Sequence, residues 1–109
     1  CYTGDSKQTL MGISDEDMAK ERASTETHAL ILARSARERL GTDWGIGETG
    51  AAGPTGNRYG DKPGHCCIGV SGPSDKAITI ETGSEDRAGN MEVFTKAALD
   101  LLLDQVKSV

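Results

Sequence analysis

Thr49 lies in a ten-residue run, Gly47-Glu48-Thr49-Gly50-Ala51-Ala52-Gly53-Pro54-Thr55-Gly56, that holds four glycines, a proline and two threonines. Glycine lets backbone approach a ligand closely and turns amide N–H groups toward an anion. The Thr49 hydroxyl can donate to a substrate oxygen, and the amides of Gly50, Ala51 and Gly53 can stabilise an oxyanion or a phosphate. Taken alone, the run reads equally well as a tight structural turn. Tyr2 and Lys7 form a second constellation, five residues apart. Their ordinary pKa values are about 10 and about 10.4, so neither takes a proton near neutral pH unless burial or charge lowers it. A desolvated lysine beside a serine is one way to activate a hydroxyl nucleophile. Without further context, though, a Tyr/Lys pair reads first as surface packing. Arg87 is the third candidate: a guanidinium grips phosphate bidentately, and a helix N-terminus adds a favourable field. An ordinary ion pair with Asp86 or Glu85 competes, and spacing alone favours it.

Two familiar phosphate motifs are excluded. No Gly-Lys-Ser/Thr follows the glycines, so the run is not a Walker A loop. Gly47-x-x-Gly50-x-x-Gly53 has the wrong spacing for a dinucleotide fingerprint, and Pro54 and Pro63 fall where its helix would begin. His28 and His65 have no partner close in sequence and read as structural. Cys66-Cys67 lacks metal-ligand spacing and reads as small apolar packing with at most one exposed thiol. Trp44 reads as core, and Asp15-Glu16-Asp17 as an acidic helix start.

The elements that must position these residues follow from periodicity. Cys1 to Ile13 reads as the end of a strand passing into a short helix, with Asp5 or Ser6 as N-cap and Gly12 as its stop. Ser14 caps a second short helix. Ser24 or Thr25 starts a longer one to about Leu40, with Ala29, Leu32 or Ala33, Ala36 and Leu40 as its apolar stripe and Gly41 as its end. Trp44 to Glu48 alternates like a strand leading into the glycine-rich loop. His65 to Ser71 and Lys76 to Thr82 read as a hairpin about the turn Gly72-Pro73-Ser74-Asp75. A final helix runs from Asp86 to about Lys107, with Met91, Phe94, Ala98, Leu101 or Leu102, and Val106 on one face. The order of helices and strands predicts an α/β sandwich with a mixed sheet. Ten of the fourteen glycines fall between Gly41 and Gly72, so backbone is being shaped in the middle of the chain.

Composition sets the outer limits. A chain of 109 residues, 36% hydrophobic, fits one domain with a modest core. Its net charge of −5 argues against nucleic acid, which requires clustered Lys and Arg. The longest apolar run is Leu101-Leu102-Leu103, too short for a membrane span. The cysteines Cys1, Cys66 and Cys67 are odd in number and two are adjacent, which argues for a reducing, cytoplasmic setting over a disulfide framework. The chain opens on Cys1 without an initiator methionine, as expected of a fragment or a processed product.

Together these segments resemble the C-terminal domain of the CinA (competence/damage-inducible protein) family. Thr49-Gly50-Ala51-Ala52-Gly53-Pro54 is similar to the family's Thr-Gly-x-Ala-Gly-Pro loop. Tyr2-Thr3-Gly4-Asp5-Ser6-Lys7 followed by Leu10-Met11-Gly12-Ile13 is similar to its Tyr-x4-Lys-x2-Leu-Leu-Gly-Val segment, and Asp86-Arg87 to its Asp-Arg motif. The three occur in family order across essentially the whole chain. Gly56-Asn57-Arg58-Tyr59-Gly60-Asp61 looks more like eukaryotic, fungal-type relatives than the usual bacterial pattern. The resemblance implies a three-layer α/β/α sandwich with a mixed β-sheet, spanning residues 1–109 as one domain.

The activity it implies is hydrolysis of nicotinamide mononucleotide to nicotinate mononucleotide and ammonia. A family serine would attack the amide carbon, Lys7 and Tyr2 would handle its proton, and Thr49 and the loop amides would hold the oxyanion. Gly50, Ala51, Gly53 and Arg87 would bind substrate. The scheme needs no metal and no cofactor. Expected partners are a small nucleotide substrate and further copies of the chain in a homo-oligomer, with no nucleic acid and no membrane. The family's serine lies in a Ser/Cys-Thr-Gly-Gly segment upstream of Tyr2, together with the first strand of the sheet. The expected domain therefore lacks both, and the chain alone is expected to be inactive. Lys62-Pro63-Gly64 is also one residue shorter than the family's Lys-Pro-x-Gly. Two readings of other classes stay open beside the amidase: a non-catalytic mononucleotide-binding module, and a pseudoenzyme that assembles through its final helix.

Overall fold

The computed structural model describes residues 4–14 and 24–108. The expected strand end at Cys1 to Thr3, Tyr2 included, and the expected short helix after Ser14 lie outside the described residues. Those described form, in order, α1 (Gly4–Met11), α2 (Glu26–Leu40), β1 (Gly45–Ala51), β2 (His65–Ser71), β3 (Lys76–Glu81) and α3 (Arg87–Lys107).

Local chemistry sets the helix ends. Gly12, at φ 69°, follows α1 as expected. Asp5 and Ser6 lie inside the helix rather than capping it, and Asp5 sits in its first turn, where the helix dipole favours a carboxylate. Thr25 is the N-cap of α2, its Oγ1 accepting the His28 N–H at 3.2 Å. Gly41 closes α2 in the left-handed region at φ 63°, donating to the Arg37 and Glu38 carbonyls. The buried stripe of α2 is His28, Ala29, Ile31 and Ala33. Leu40, expected on that stripe, is 73% exposed. The last turn meets the sheet instead through Arg37, whose Nη1 donates to the Gly72 carbonyl at 3.0 Å.

The strands form one sheet in the order β1-β2-β3, and both described pairings are antiparallel. The turn at Gly72 to Asp75 joins β2 and β3 as the expected hairpin. β2 is central and buried along its whole length. Its even-numbered side chains, Cys66, Ile68 and Val70, form the core with Phe94 and Leu101 of α3. Trp44, Ile46, Ile78 and Ile80 pack around them. The opposite face carries Gly69, paired across the ladder with Gly47, and α2 lies directly on both. A Cβ on Gly47 would stand 2.2 Å from the Ala29 carbonyl oxygen, and one on Gly69 2.9 Å from the same atom. Helices thus cover both faces, giving the α/β/α sandwich.

Two further sequence expectations need correction. The strand does not stop at Glu48. It runs through Thr49, Gly50 and Ala51, which pair with Cys67, Cys66 and His65. The first glycines of the run are consumed by close helix–sheet and strand–strand approach, so only its second half is loop. On α3, the buried residues are Asn90, Phe94, Leu101 and Gln105, while Met91 and Val106 are 51% and 45% exposed. The helix is turned so that a polar residue, Asn90, takes the sheet-facing place expected of Met91. No described helix is long and apolar enough to cross a membrane.

Candidate functional site

The residue before the cap of α2 is the hub of the site. Ser24 is buried and adopts φ 63°, an uncommon conformation for a residue with a Cβ. All its polar groups are engaged across the fold. Its N–H donates to Thr49 Oγ1 of β1 at 2.9 Å, and its hydroxyl oxygen accepts from Asn57 Nδ2 at 3.1 Å. Its carbonyl accepts from His65 Nε2 at 2.7 Å and from the Cys67 thiol at 3.4 Å. Thr49 spends a lone pair on Ser24, which leaves its O–H proton for another acceptor.

One turn into α2, His28 is 1% exposed, and its Nε2 lies 2.9 Å from Lys7 Nζ. Lys7, on α1, is itself buried. Burial pushes its basicity below the ordinary lysine range, against the opposing pull of Tyr59. Burial, and then the neighbouring Lys7 charge, lower His28 as well. Lys7 and Thr49, far apart in sequence, are therefore both fastened to the first turn of α2 and the residue preceding it.

His65 is arranged oppositely. Nε2 faces the Ser24 carbonyl, and Nδ1 meets the Glu81 carboxylate on β3. Both partners only accept, so both ring nitrogens must carry protons, and the ring is held as imidazolium. Burial works against that charge, but the Ser24 carbonyl, Glu81 and Asp61 together raise His65 above its ordinary value. Burial likewise raises the Cys66 and Cys67 thiols, with Glu48 adding to the effect at Cys66. Both are free and buried. Such thiols stay protonated and unreactive.

The loop between β1 and β2 is held at its ends and at its tip. Gly53 takes φ 108°, a conformation that favours glycine, and precedes a cis bond to Pro54. Its carbonyl accepts from Arg87 Nη1 at 3.0 Å. Arg87 thus reaches the loop rather than Asp86 or Glu85. Asn90 Nδ2 donates to the Ala52 and Ser84 carbonyls, both at 2.8 Å. At the tip, Asn57 Oδ1 accepts the Tyr59 and Asp61 amides at 3.0 and 3.1 Å, an Asx-type turn. β1 is an edge of the described sheet, so alternate amides along it point away from β2.

Of the residues singled out from sequence, Lys7 and Thr49 converge on α2. Gly50 and Ala51 extend β1 beyond Thr49, and Gly53 and Arg87 touch each other at the start of the loop. Tyr2 is outside the described residues. Sequence reasoning missed Ser24, His28, His65, Asn57 and Asn90. The Asn57 turn had a local signal, an Asn two residues ahead of Tyr59 in a Gly-rich stretch. The others bond across more distant sequence and had none.

A family model described as the CinA C-terminal domain matches residues 1–106. A CinA-like protein of Gloeobacter violaceus is 34% identical over 107 residues, covering 96% of this chain and 25% of that protein. One from Chlorobium limicola is 39% identical over 104 residues, covering 90% and 24%. The chain thus spans about a quarter of the curated relatives it matches. Among solved structures, a competence-damaged protein (CinA) superfamily protein from Klebsiella pneumoniae superposes with a TM-score of 0.88 at 17% identity, over 98% of this chain and 67% of that one. Another from Enterobacter cloacae gives 0.85 at 24%, over 96% and 62%. At these identities the structures speak for the fold alone.

Proposed function

Because the chain belongs to the CinA C-terminal domain family, we propose that it forms the proton-handling and substrate-holding part of an amidase that converts nicotinamide mononucleotide to nicotinate mononucleotide and ammonia. The observation that carries this reading is that buried Lys7 bonds His28 in the first turn of α2 while buried Thr49 bonds Ser24, just ahead of that helix. Burial lowers the basicity of Lys7, the direction in which a lysine general base is tuned. The Thr49 O–H and the outward amides of β1 are donors for the oxygen that gains charge when the amide carbon is attacked.

In this reading a serine hydroxyl outside the 109 residues attacks the carboxamide carbon, and Lys7 takes the hydroxyl proton. The carbonyl oxygen becomes an oxyanion held by Thr49 and the amides near Gly50 and Ala51. Lys7 then gives its proton to the leaving nitrogen, which departs as ammonia, and water hydrolyses the acyl-enzyme by the same route. Arg87 holds Gly53 through one N–H and has further N–H groups to offer a substrate phosphate.

The test is to incubate protein containing this chain and the sequence preceding it with nicotinamide mononucleotide and follow ammonia. Release supports the amidase. A thermal shift with the nucleotide but no release would identify a binding module instead, and absence of both would contradict either reading.

A further inference from the structure

We infer that His28 is a positioning residue that donates its Nε2–H to an uncharged Lys7 amine, holding the single nitrogen lone pair on the ring until the amine turns off Nε2 to accept a proton. The contact itself, 2.9 Å between Nζ and Nε2, permits two proton assignments. In one, Lys7 donates to Nε2, as an ammonium or as a neutral amine, and the single proton of a neutral ring must then sit on Nδ1. In the other, Nε2 carries the proton and Nδ1 is a bare lone pair.

The other side of the ring decides between them. His28 Nδ1 is buried and has no hydrogen-bond partner among the described residues. The first assignment strands a buried N–H there, the rarer and costlier kind of orphan. With Lys7 as the ammonium it also buries a charge, which loses more on leaving water than any neutral group. The second strands only an acceptor lone pair and buries no charge. An imidazolium would bury a charge and leave an N–H at Nδ1 without a partner as well. A neutral pair, with His28 as donor, is the arrangement that leaves least unmet.

The titratable groups that face the pair are consistent with this. Tyr59, from the β1–β2 loop, acts on Lys7 in favour of the ammonium, but burial is the larger influence and opposes it. His65 and Cys67 of β2 bond instead to the Ser24 carbonyl ahead of α2, where His65 is held as a cation.

The purpose given to Lys7 rests on the amidase reading, whereas the proton assignment rests on geometry alone. Two-dimensional NMR of the protein carrying 15N-histidine and 13C-lysine tests it. The expected result is a His28 ring protonated at Nε2 and bare at Nδ1 near neutral pH, with Lys7 titrating below its ordinary value. A His28 ring protonated at Nδ1, or a Lys7 that titrates at or above the usual lysine value, would overturn the inference. The unmutated protein therefore decides the matter even if variants fold poorly.

Variants add a sign. His28→Leu removes the donor that favours the free amine, and the Lys7 titration should move up by at least about one pKa unit. If His28 instead accepts from an ammonium, the same substitution moves it down, which contradicts the proposal. His28→Gln retains an N–H donor and should keep the titration close to that of the parent. Because ammonia release is not read, the result holds whether or not the protein proves to be an amidase.

Discussion

The His65 imidazole donates through Nε2 to the carbonyl of Ser24, 2.7 Å away across 41 residues. That bond, with the Glu81 carboxylate on the other ring nitrogen, joins the start of α2 to two strands of the sheet. It also makes stability depend on pH. The folded protein raises the His65 pKa, so it holds a proton that the unfolded chain releases near about 6.5. The contribution is complete below that value and is lost as pH rises through the higher folded value. The lowered His28 and Lys7 act in the opposite sense, so the comparison is with His65→Gln: the melting-temperature advantage of the parent should shrink by a few degrees between pH 5 and 9, corresponding to about 1 kcal/mol. An advantage that stays constant or grows with pH would contradict the imidazolium assignment.

Gly47 tests whether the first part of the glycine run serves packing. A methyl group there would meet the Ala29 carbonyl oxygen at 2.2 Å, backbone against which nothing flexible can give. Gly47→Ala should cost about 1–3 kcal/mol by chemical denaturation, or prevent folding. Gly60→Ala, where open space surrounds the position and only the φ of 90° is strained, should cost about 1 kcal/mol. Equal costs at the two positions would argue against α2 resting directly on the sheet.

Asn90 is the polar residue that α3 turns toward the sheet. It accepts from Thr82 Oγ1 at 2.6 Å while donating to the Ala52 and Ser84 carbonyls. Asn90→Leu removes three part-buried hydrogen bonds, to the Thr82 hydroxyl and the Ala52 and Ser84 carbonyls, each worth about 1 kcal/mol. A loss of at least about 2 kcal/mol on denaturant unfolding is expected. A loss under about 0.5 kcal/mol would show that the network does not anchor the loop.

Thr49 separates catalysis from packing. In protein that hydrolyses nicotinamide mononucleotide, Thr49→Val should lower kcat by about a hundredfold, the usual worth of an oxyanion donor. Its stability should fall only by the roughly 1 kcal/mol of the bond to Ser24. Thr49→Ser should recover most of the rate. A large drop in melting temperature with kcat unchanged would give Thr49 a purely structural role.

Local chemistry made much of this legible from residues alone. Thr25 and Gly41 mark the ends of α2 because capping and left-handed backbone are properties of single residues. The β2–β3 hairpin follows from alternation on either side of Gly72-Pro73-Ser74-Asp75. What escaped was set by tertiary contact. The extension of β1 through Ala51 depends on its ladder with β2, which offsets the turn-like character of Thr49-Gly50. Met91 and Val106 face outward because α3 is rotated to satisfy Asn90. His28 and His65 read as solitary because Lys7 lies 21 residues from one, and Ser24 lies 41 from the other. Lys7 and Arg87 were recognisable as candidates, but nothing local told that one sits against an imidazole and the other against the Gly53 carbonyl.

Lys7 carries the central claim, and one comparison tests it most directly. Ammonia release from nicotinamide mononucleotide is measured for protein containing this chain and its preceding sequence, with and without Lys7→Met, alongside the thermal shift given by the nucleotide. The account predicts a rate lower by about a hundredfold or more, the contribution of a positioned base, with the nucleotide-induced shift retained. A Lys7→Met protein that releases ammonia at the parental rate would contradict it.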